Sequence, residues 1–426
     1  MLHNRHYENL PNGWGEIPLV EICWLDDGNQ IDGEKLVYWD AKALRGKNTK
    51  VTLSRGKVVE QGKSVILVDG ENSGEVFTIP YRGYLGSTFK ILQIAPLTDK
   101  NFVRIILDYN RDLFRENKTG SAIPHLNKRL FKSMNVLLPP LLEQERIAKS
   151  VDLLFTQIDI IEQNQAEIEN LYDELKKRTL DLAIQGKLVP QDPSDEPASV
   201  LLEKIRAEKK AQLGKKYVDS YIYKGDDNRY YEKVGSETKN ITEEVPFDIP
   251  ETWEWTRLSN VCEYIHRGKS PVYGATKKLP IIAQKCNQWD RIYTEKCLFA
   301  EESTIKKYTQ EQFLLIGDII INSTGTGTVG RTGYVEQYIF QEYSNFVADS
   351  HVTVVRANHL IFAKYLYLFL KSPQIQTDIE FLCSGSTNQI ELAISTIRTF
   401  LIPPFQEQVH IVELYEVLID KLKDEV

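Results

Sequence analysis

From Ile147 onward, apolar side chains recur at alternating steps of four and three. The series runs Val151, Leu154, Ile158, Ile161, Ile168, Tyr172, Leu175 and Leu182, with Gln165 and Thr179 as its polar members. So narrow a stripe is a heptad seam rather than the broad face of a helix lying on a core. Pro139-Pro140 stops the preceding element, and Gly186 followed by Pro190 ends the pattern. The spacing predicts a helix over 143–185, ~65 Å long at ~1.5 Å per residue. The same register returns after Pro403-Pro404 at Ile411, Tyr415, Leu418, Leu422 and Val426. Two helices with matching seams are expected to pack antiparallel on each other. Aspartate at Leu154 and Ile158 is then expected to be strongly destabilising, because it buries unpaired charge. A further helix is predicted over Ala198–Leu213, led in by Ser194-Asp195-Glu196-Pro197. Residues 215–246 are polar, tyrosine-rich and aperiodic, and read as an ordered linker with room for a hairpin.

The landmarks around these helices occur twice. Leu10-Pro11-Asn12-Gly13-Trp14 is echoed by Ile249-Pro250-Glu251-Thr252-Trp253, and Ile22-Cys23 by Val261-Cys262. LLPPLLEQERI at 137–147 matches LIPPFQEQVHI at 401–411, and Gly120-Ser121 matches Gly385-Ser386. The first pairs are offset by 239 residues and the PP segments by 264, so the second copy carries an insertion between its landmarks. A period this long is not a solenoid. The unit is a globular domain followed by a helix, written twice.

Composition adds limits. The 426 residues fit two or three domains, with enough apolar side chains (42%) for real cores. The net charge of −8 argues against a simple cationic wrapper of nucleic acid. The acidity, however, sits in the helices and linker, and residues 1–140 carry 19 basic against 16 acidic side chains. Such a division suits domains that touch a polyanion on struts that touch proteins, although ordinary solvated charge explains it as well. The start MLHNRHYENLPNGW has no apolar run, and no stretch approaches ~20 apolar residues, so a soluble, cytoplasmic protein with no membrane partner is expected. Five cysteines without a CxxC pair give neither a disulfide framework nor a zinc site.

Gly325-Thr326-Gly327-Thr328-Val329-Gly330 is formally GxGxxG, but a dinucleotide site needs a helix next, and Arg331–Val335 reads as a strand. Both PP pairs follow apolar residues, which leaves nothing to bond a target amine. No Walker A, HExxH or GxSxG motif is present, the histidines show no ligand spacing, and no catalytic or metal residue is assigned. What remains is a recognition surface. In the second repeat it comprises Arg267, Lys269, Ser270 and Tyr273, then Asn322, Ser323, Thr324, Thr326, Thr328 and Arg331, with His351 on the next strand. In the first it comprises Asn72, Ser73, Arg82, Tyr84, Ser87, Thr88 and Lys90. Hydroxyls, amides and backbone N–H groups suit phosphates, and arginine and asparagine can read base edges.

The order of PxxW lead-in, domain, PP-(L/F)xEQxxI helix, second domain and second PP helix resembles the specificity subunit of Type I restriction-modification systems. The resemblance spans essentially the whole chain. It is carried by LLPPLLEQERIAKSVDLLFTQID, LAIQGKLVPQDPSDEPASVLLEKI, PETWEWTRL, GDIIINSTGTGTVGR and LIPPFQEQ. It implies an α+β fold with a pseudo-twofold repeat: two target recognition domains joined by long antiparallel coiled-coil helices. The parts would be recognition domain 1 (1–140), central helical region (141–214), linker (215–246), recognition domain 2 (247–402) and a short distal helix (403–426). It also implies double-stranded DNA as ligand, each domain reading half of an asymmetric bipartite site. Two modification subunits that methylate adenine and two restriction subunits would be partners, with S-adenosylmethionine, ATP and Mg²⁺ on those partners and no cofactor on this chain. The second seam has five positions against eleven in the first, a departure that fits either a natural short form or a truncation. The alternative of specificity fused to a methyltransferase or nuclease lacks the necessary motifs.

Overall fold

A computed structural model of the protein describes residues 10–47, 51–120, 124–383, 392 and 400–424. Ser121, Gly385, Ser386 and Val426, invoked above, lie outside the described residues. The chain divides into two compact units, residues 1–164 and 165–426.

In the first unit, Gly15–Pro18 pairs antiparallel with Asn135–Leu138. Beyond it lies a four-stranded antiparallel sheet in the order Cys23–Asp26, Phe89–Ile94, Ser64–Leu67, Val76–Thr78. A small closed barrel of Gln30–Trp39, Thr52–Val59 and Gly83–Leu85 completes the repeat. The second unit repeats this plan. Glu254–Thr256 pairs with Phe400–Ile402, and the sheet runs Cys262–Arg267, Val352–Ala357, Ile319–Asn322, Thr332–Tyr334. Gly15 faces Leu138 in one ladder and Glu254 faces Ile402 in the other. The two sequence offsets are therefore the two sides of one β-ladder. The second repeat has in addition a four-stranded sheet of Tyr273–Gly274, Leu298–Ala300, Pro280–Ile282 and Val347–Ala348, where the first has its barrel. The run Ile319-Ile320-Ile321 is wholly buried, as β-branched residues in a central strand should be.

Helix α1 spans Leu141–Ile184, and helix α2 spans Ala198–Leu213. The linker forms a three-stranded antiparallel sheet, Ser220–Lys224, Tyr230–Val234 and Glu237–Asn240. Helix α3 is Ala363–Lys371 and helix α4 is Phe405–Asp424. α1 and α4 each begin on the residue after a proline pair. In both, a buried glutamine holds the junction. Gln144 Nε2 donates to Pro139 O (2.8 Å) while its Oε1 accepts from Asp99 N (2.9 Å). Gln408 Nε2 donates to Pro403 O (3.0 Å) while its Oε1 accepts from Phe362 N (3.0 Å). Each amide meets one buried carbonyl and one buried N–H that would otherwise be costly.

The seam behaves differently along its length. Ile147 packs on the first repeat's core and Val151 is half-buried, but Leu154, Ile158, Ile161, Ile168 and Leu175 are exposed, Leu154 by 63% and Ile161 by 62%. Ile411 and Tyr415 are buried, and Leu418 and Leu422 are half-buried. The last turns of α1 (Leu180, Ala183, Ile184) share a core with α2, Trp253, Trp255 and α4. Gln191, beyond the end of α1, bonds Glu407 in the first turn of α4, while Tyr172, three turns back, lies within electrostatic reach of Tyr415. In this stretch the two helices run in opposite senses. The expectation that 143–185 and 405–426 meet along their whole seams is corrected. α4 spends Ile411, Val412, Tyr415 and Ile419 on its own domain, a wider face than a seam, and is tied to α3 by Lys364–Glu416. Among the described residues nothing covers the middle of α1.

Candidate nucleic-acid interface

At one end of the second repeat's main sheet, the loop Ser323–Arg331 joins Ile319–Asn322 to Thr332–Tyr334. Its mouth is closed by Asn322 N to Arg331 O and Gly330 N to Asn322 O, both 2.9 Å. Gly330 has φ +83°, and a Cβ there would meet Gln376 Oε1 at 2.9 Å and Ile379 Cγ2 at 3.1 Å, so only glycine fits. A strand follows the loop, so no helix N-terminus faces the glycines.

Asn322 and Ser323, expected on the surface, are fully buried and anchor the loop. Asn287 Nδ2 donates to Asn322 Oδ1 (3.1 Å) and to Arg331 O (2.9 Å), while Ser323 Oγ pairs with Thr353 Oγ1. A strand of all-apolar neighbours must satisfy its polar end internally, and these two side chains do so. Thr324 Oγ1 bonds His351 Nδ1 (2.8 Å) and accepts from Gln284 Nε2 (2.7 Å). Thr328 Oγ1 donates to Thr324 O (3.1 Å), and Thr326 stands exposed. The Arg331 guanidinium donates to Gln288 Oε1 and to Gly327 O (3.0 Å). It braces the loop from a half-buried position.

Neighbouring elements complete this end of the sheet. Arg267 Nη2 donates to Leu392 O (2.9 Å), and Leu392 N donates to Ser323 O (2.8 Å). Lys269 bridges to Asp349 in the backbone, and its ammonium reaches Lys307 O (2.6 Å) over the Tyr308 ring. Asp349 accepts from His351 N (2.8 Å), and burial pushes its carboxyl above the ordinary range. Ser270 and Tyr273 continue away from this end, Tyr273 pairing with Ala300 on the second sheet. The sequence reading missed Gln284-Lys285-Cys286-Asn287-Gln288-Trp289-Asp290-Arg291. This segment supplies three of the side chains that hold the loop and displays Lys285, Trp289 (45% exposed) and Arg291. Its amides, aromatic and cations were the available signal.

The first repeat has the same frame with different side chains. Gly74 N donates to Leu67 O (2.7 Å) and Leu126 N to Val68 O (2.8 Å), the counterparts of the Gly330 and Leu392 bonds. Of the residues expected on its surface, Ser73 and Tyr84 are core, with Tyr84 Oη donating to Glu34 O (2.8 Å) inside the barrel. Arg82 pairs with Glu34 (2.8 Å) and Glu60 (3.0 Å), Lys90 pairs with Asp27, and Asn72 accepts from Arg115. Thr88 is half-buried and only Ser87 is open. The polar side chains that stand free of the core here are others: His125, bonded to Asp69 (2.6 Å), with Lys128 and Arg129 on a groove of about 610 Å³ that also takes in Thr119. They follow the loop that pairs with the glycine turn, and spacing alone did not reveal this.

Among the described residues no group of three or more His, Cys, Asp or Glu could hold a metal, and no helix is long and apolar enough to cross a membrane.

The family model described as Type I restriction modification DNA specificity domain matches residues 11–170 and 250–426, one match for each repeat. The chain is 40% identical over 121 residues to the Type I restriction enzyme EcoAI specificity subunit of Escherichia coli, covering 28% of this chain and 16% of that one. It is 24% identical over 281 residues to the Type I restriction enzyme MjaVIII specificity subunit of Methanocaldococcus jannaschii, covering 65% and 53%. The matches thus span about half the length of these relatives, or less. The solved HsdS subunit from Thermoanaerobacter tengcongensis shares the fold, with a TM-score of 0.53 at 17% identity over 99% of this chain and 93% of that one. With its duplicated sheet, its paired glutamine junctions and a family match on both repeats, the chain belongs to the Type I restriction modification DNA specificity domain family.

Proposed function

We propose that this chain is the sequence-reading subunit of a Type I restriction-modification assembly, itself non-catalytic and cytoplasmic. Each repeat reads one half of an asymmetric bipartite site in double-stranded DNA. The reading is carried by one observation: a single sheet plan, ending in a glycine turn beside exposed cations, occurs twice in one chain. Two readers of one design suit two half-sites about one helical turn, ~34 Å, apart. Arg331 and Lys285 on the second repeat, and Lys128 and Arg129 on the first, supply the charge for phosphate and base contacts, with the rings of His351 and His125 as hydrogen-bonding groups beside them. The uncovered apolar middle of α1 suits the partners. Two modification subunits would supply S-adenosylmethionine chemistry on adenine, and two restriction subunits would supply ATP- and Mg²⁺-dependent cleavage. Titration of labelled duplexes at several salt concentrations is the direct test. A steep fall of affinity with salt and a preference for the duplex methylated by the assembled complex are expected; binding blind to both salt and sequence would overturn the reading.

A further inference from the structure

Ten residues separate Cys286 from Cys297, yet the fold brings their sulfurs to 3.8 Å. Cys286 closes a turn through its N–H to Ala283 O (2.8 Å), and Cys297 closes another to Thr294 O (3.0 Å). Between them the chain doubles back, with Asn287 bridged to Ile292 and Tyr293 N donating to Cys286 O (2.7 Å). The pair is thus the neck of a loop that displays Trp289 and Arg291. That loop also holds the recognition turn, through Asn287 to Asn322 and Arg331 and through Gln288 to the Arg331 guanidinium.

We propose that Cys286 and Cys297 are an oxidation-sensitive dithiol whose closure to a disulfide resets this loop and with it the grip of the second repeat on DNA. The coupling to DNA rests on the function proposed above; the thiol chemistry does not. The Cys297 S–H donates to the Cys286 sulfur, which lowers the Cys286 thiol and holds that of Cys297 up. By contrast, burial is the leading cause that pushes the Cys23 and Cys262 thiols up to about 12. Cys286, which accepts the S–H, is the nucleophile of the pair and Cys297 the resolving partner; both are buried, so the oxidant reaches them when the neck of the loop opens.

With hydrogen peroxide as oxidant, the Cys286 thiolate attacks one peroxide oxygen and the O–O bond breaks. The departing hydroxide leaves as water with the proton Cys286 gave up, and a sulfenic acid remains. The Cys297 sulfur then attacks the sulfenyl sulfur, the S–O bond breaks, and the hydroxyl leaves as a second water with the Cys297 proton. The two thiols together lose two electrons, and the peroxide gains them. The sulfurs close from 3.8 Å to ~2.05 Å, which drags Asn287, the neighbour of Cys286, relative to Asn322 and Arg331.

The test uses the full chain, reduced or treated with hydrogen peroxide and then alkylated. Peptide mass mapping should find a 286–297 cross-link lighter by two hydrogens. Dithiothreitol should reverse it, and Cys286→Ala and Cys297→Ala should each abolish it. On the same samples, affinity for the duplex methylated by the assembled complex should fall about tenfold on oxidation, as expected for losing one or two bonds to the loop, and should not change in either alanine variant. No cross-link in the wild type overturns the proposal, and a cross-link with unchanged affinity overturns its coupling to DNA. Reduced wild-type protein that binds no duplex sinks the DNA reading instead and leaves the cross-link result standing.

Discussion

Arg331 donates to Gln288 and to Gly327 O, so its guanidinium is positioned before any ligand arrives. Arg331→Ala is expected to weaken binding of the specific duplex by about 1–3 kcal/mol and to relax the recognised motif at one position. Gln288→Ala should weaken binding without relaxing the motif, because it removes the brace and keeps the reader. Titration against a set of single-base variants checks both, and an Arg331→Ala variant with unchanged affinity and salt slope would move the recognition face elsewhere. Arg356 behaves as a structural counterpart. Its fork meets both oxygens of Asp318 at 2.7 Å, and Asp318 is only 1% exposed. Removing one partner of such a pair strands a buried charge, so Arg356→Ala should lower stability by about 3–5 kcal/mol in urea unfolding.

Helices carry the next set of consequences. The exposed middle of α1 turns the expectation for its seam around. Leu154→Asp with Ile158→Asp should leave the stability of the isolated chain within about 0.5 kcal/mol, because no described residue packs there. The same variant should lose assembly with the partner subunits in size-exclusion chromatography; normal assembly would show that this face is not used. At the start of α4, Glu407 accepts from Trp253 Nε1 (2.6 Å) and from Gln191, and burial raises its carboxyl above the ordinary 4.5 despite those donors. The folded state thus prefers the proton. Its contribution to stability is full below pH 4.5 and is lost as pH rises through the raised value. Glu407→Gln keeps an acceptor for Trp253 and removes the charge. Compared by urea unfolding at pH 4 and pH 7, it should lose less stability across that range than the wild type.

For the whole molecule, the consequence of duplication is modularity. Each repeat has its own ladder, its own sheet and its own glutamine junction. Replacing residues 245–400 by the same region of a relative should therefore change one half of the methylated motif and leave the other intact. Methylation mapping in a host that carries the partner subunits reads this directly, and a swap that altered both halves would refute it.

Duplication was legible because the ladder partners Gly15–Leu138 and Glu254–Ile402 are flanked by Trp and Pro-Pro landmarks, and such junctions tolerate few side chains. α2 was legible to the residue, since Pro197 and a periodic run mark its start locally. The candidate surface was only half legible. The strand at Arg331–Val335 was legible, but whether Asn322 points to solvent or to Asn287 depends on a segment 35 residues away. Ser73 and Tyr84 likewise look like surface residues in sequence and are core in the fold. Local pattern determined the repeat and the helices α1, α2 and α4, because propensity, prolines and period act over a few residues. The tertiary structure alone decided which polar groups are anchors and which are free, how much of the α1 seam is covered, and that two cysteines eleven positions apart touch. Those outcomes rest on burial and long-range pairing, which no local pattern records.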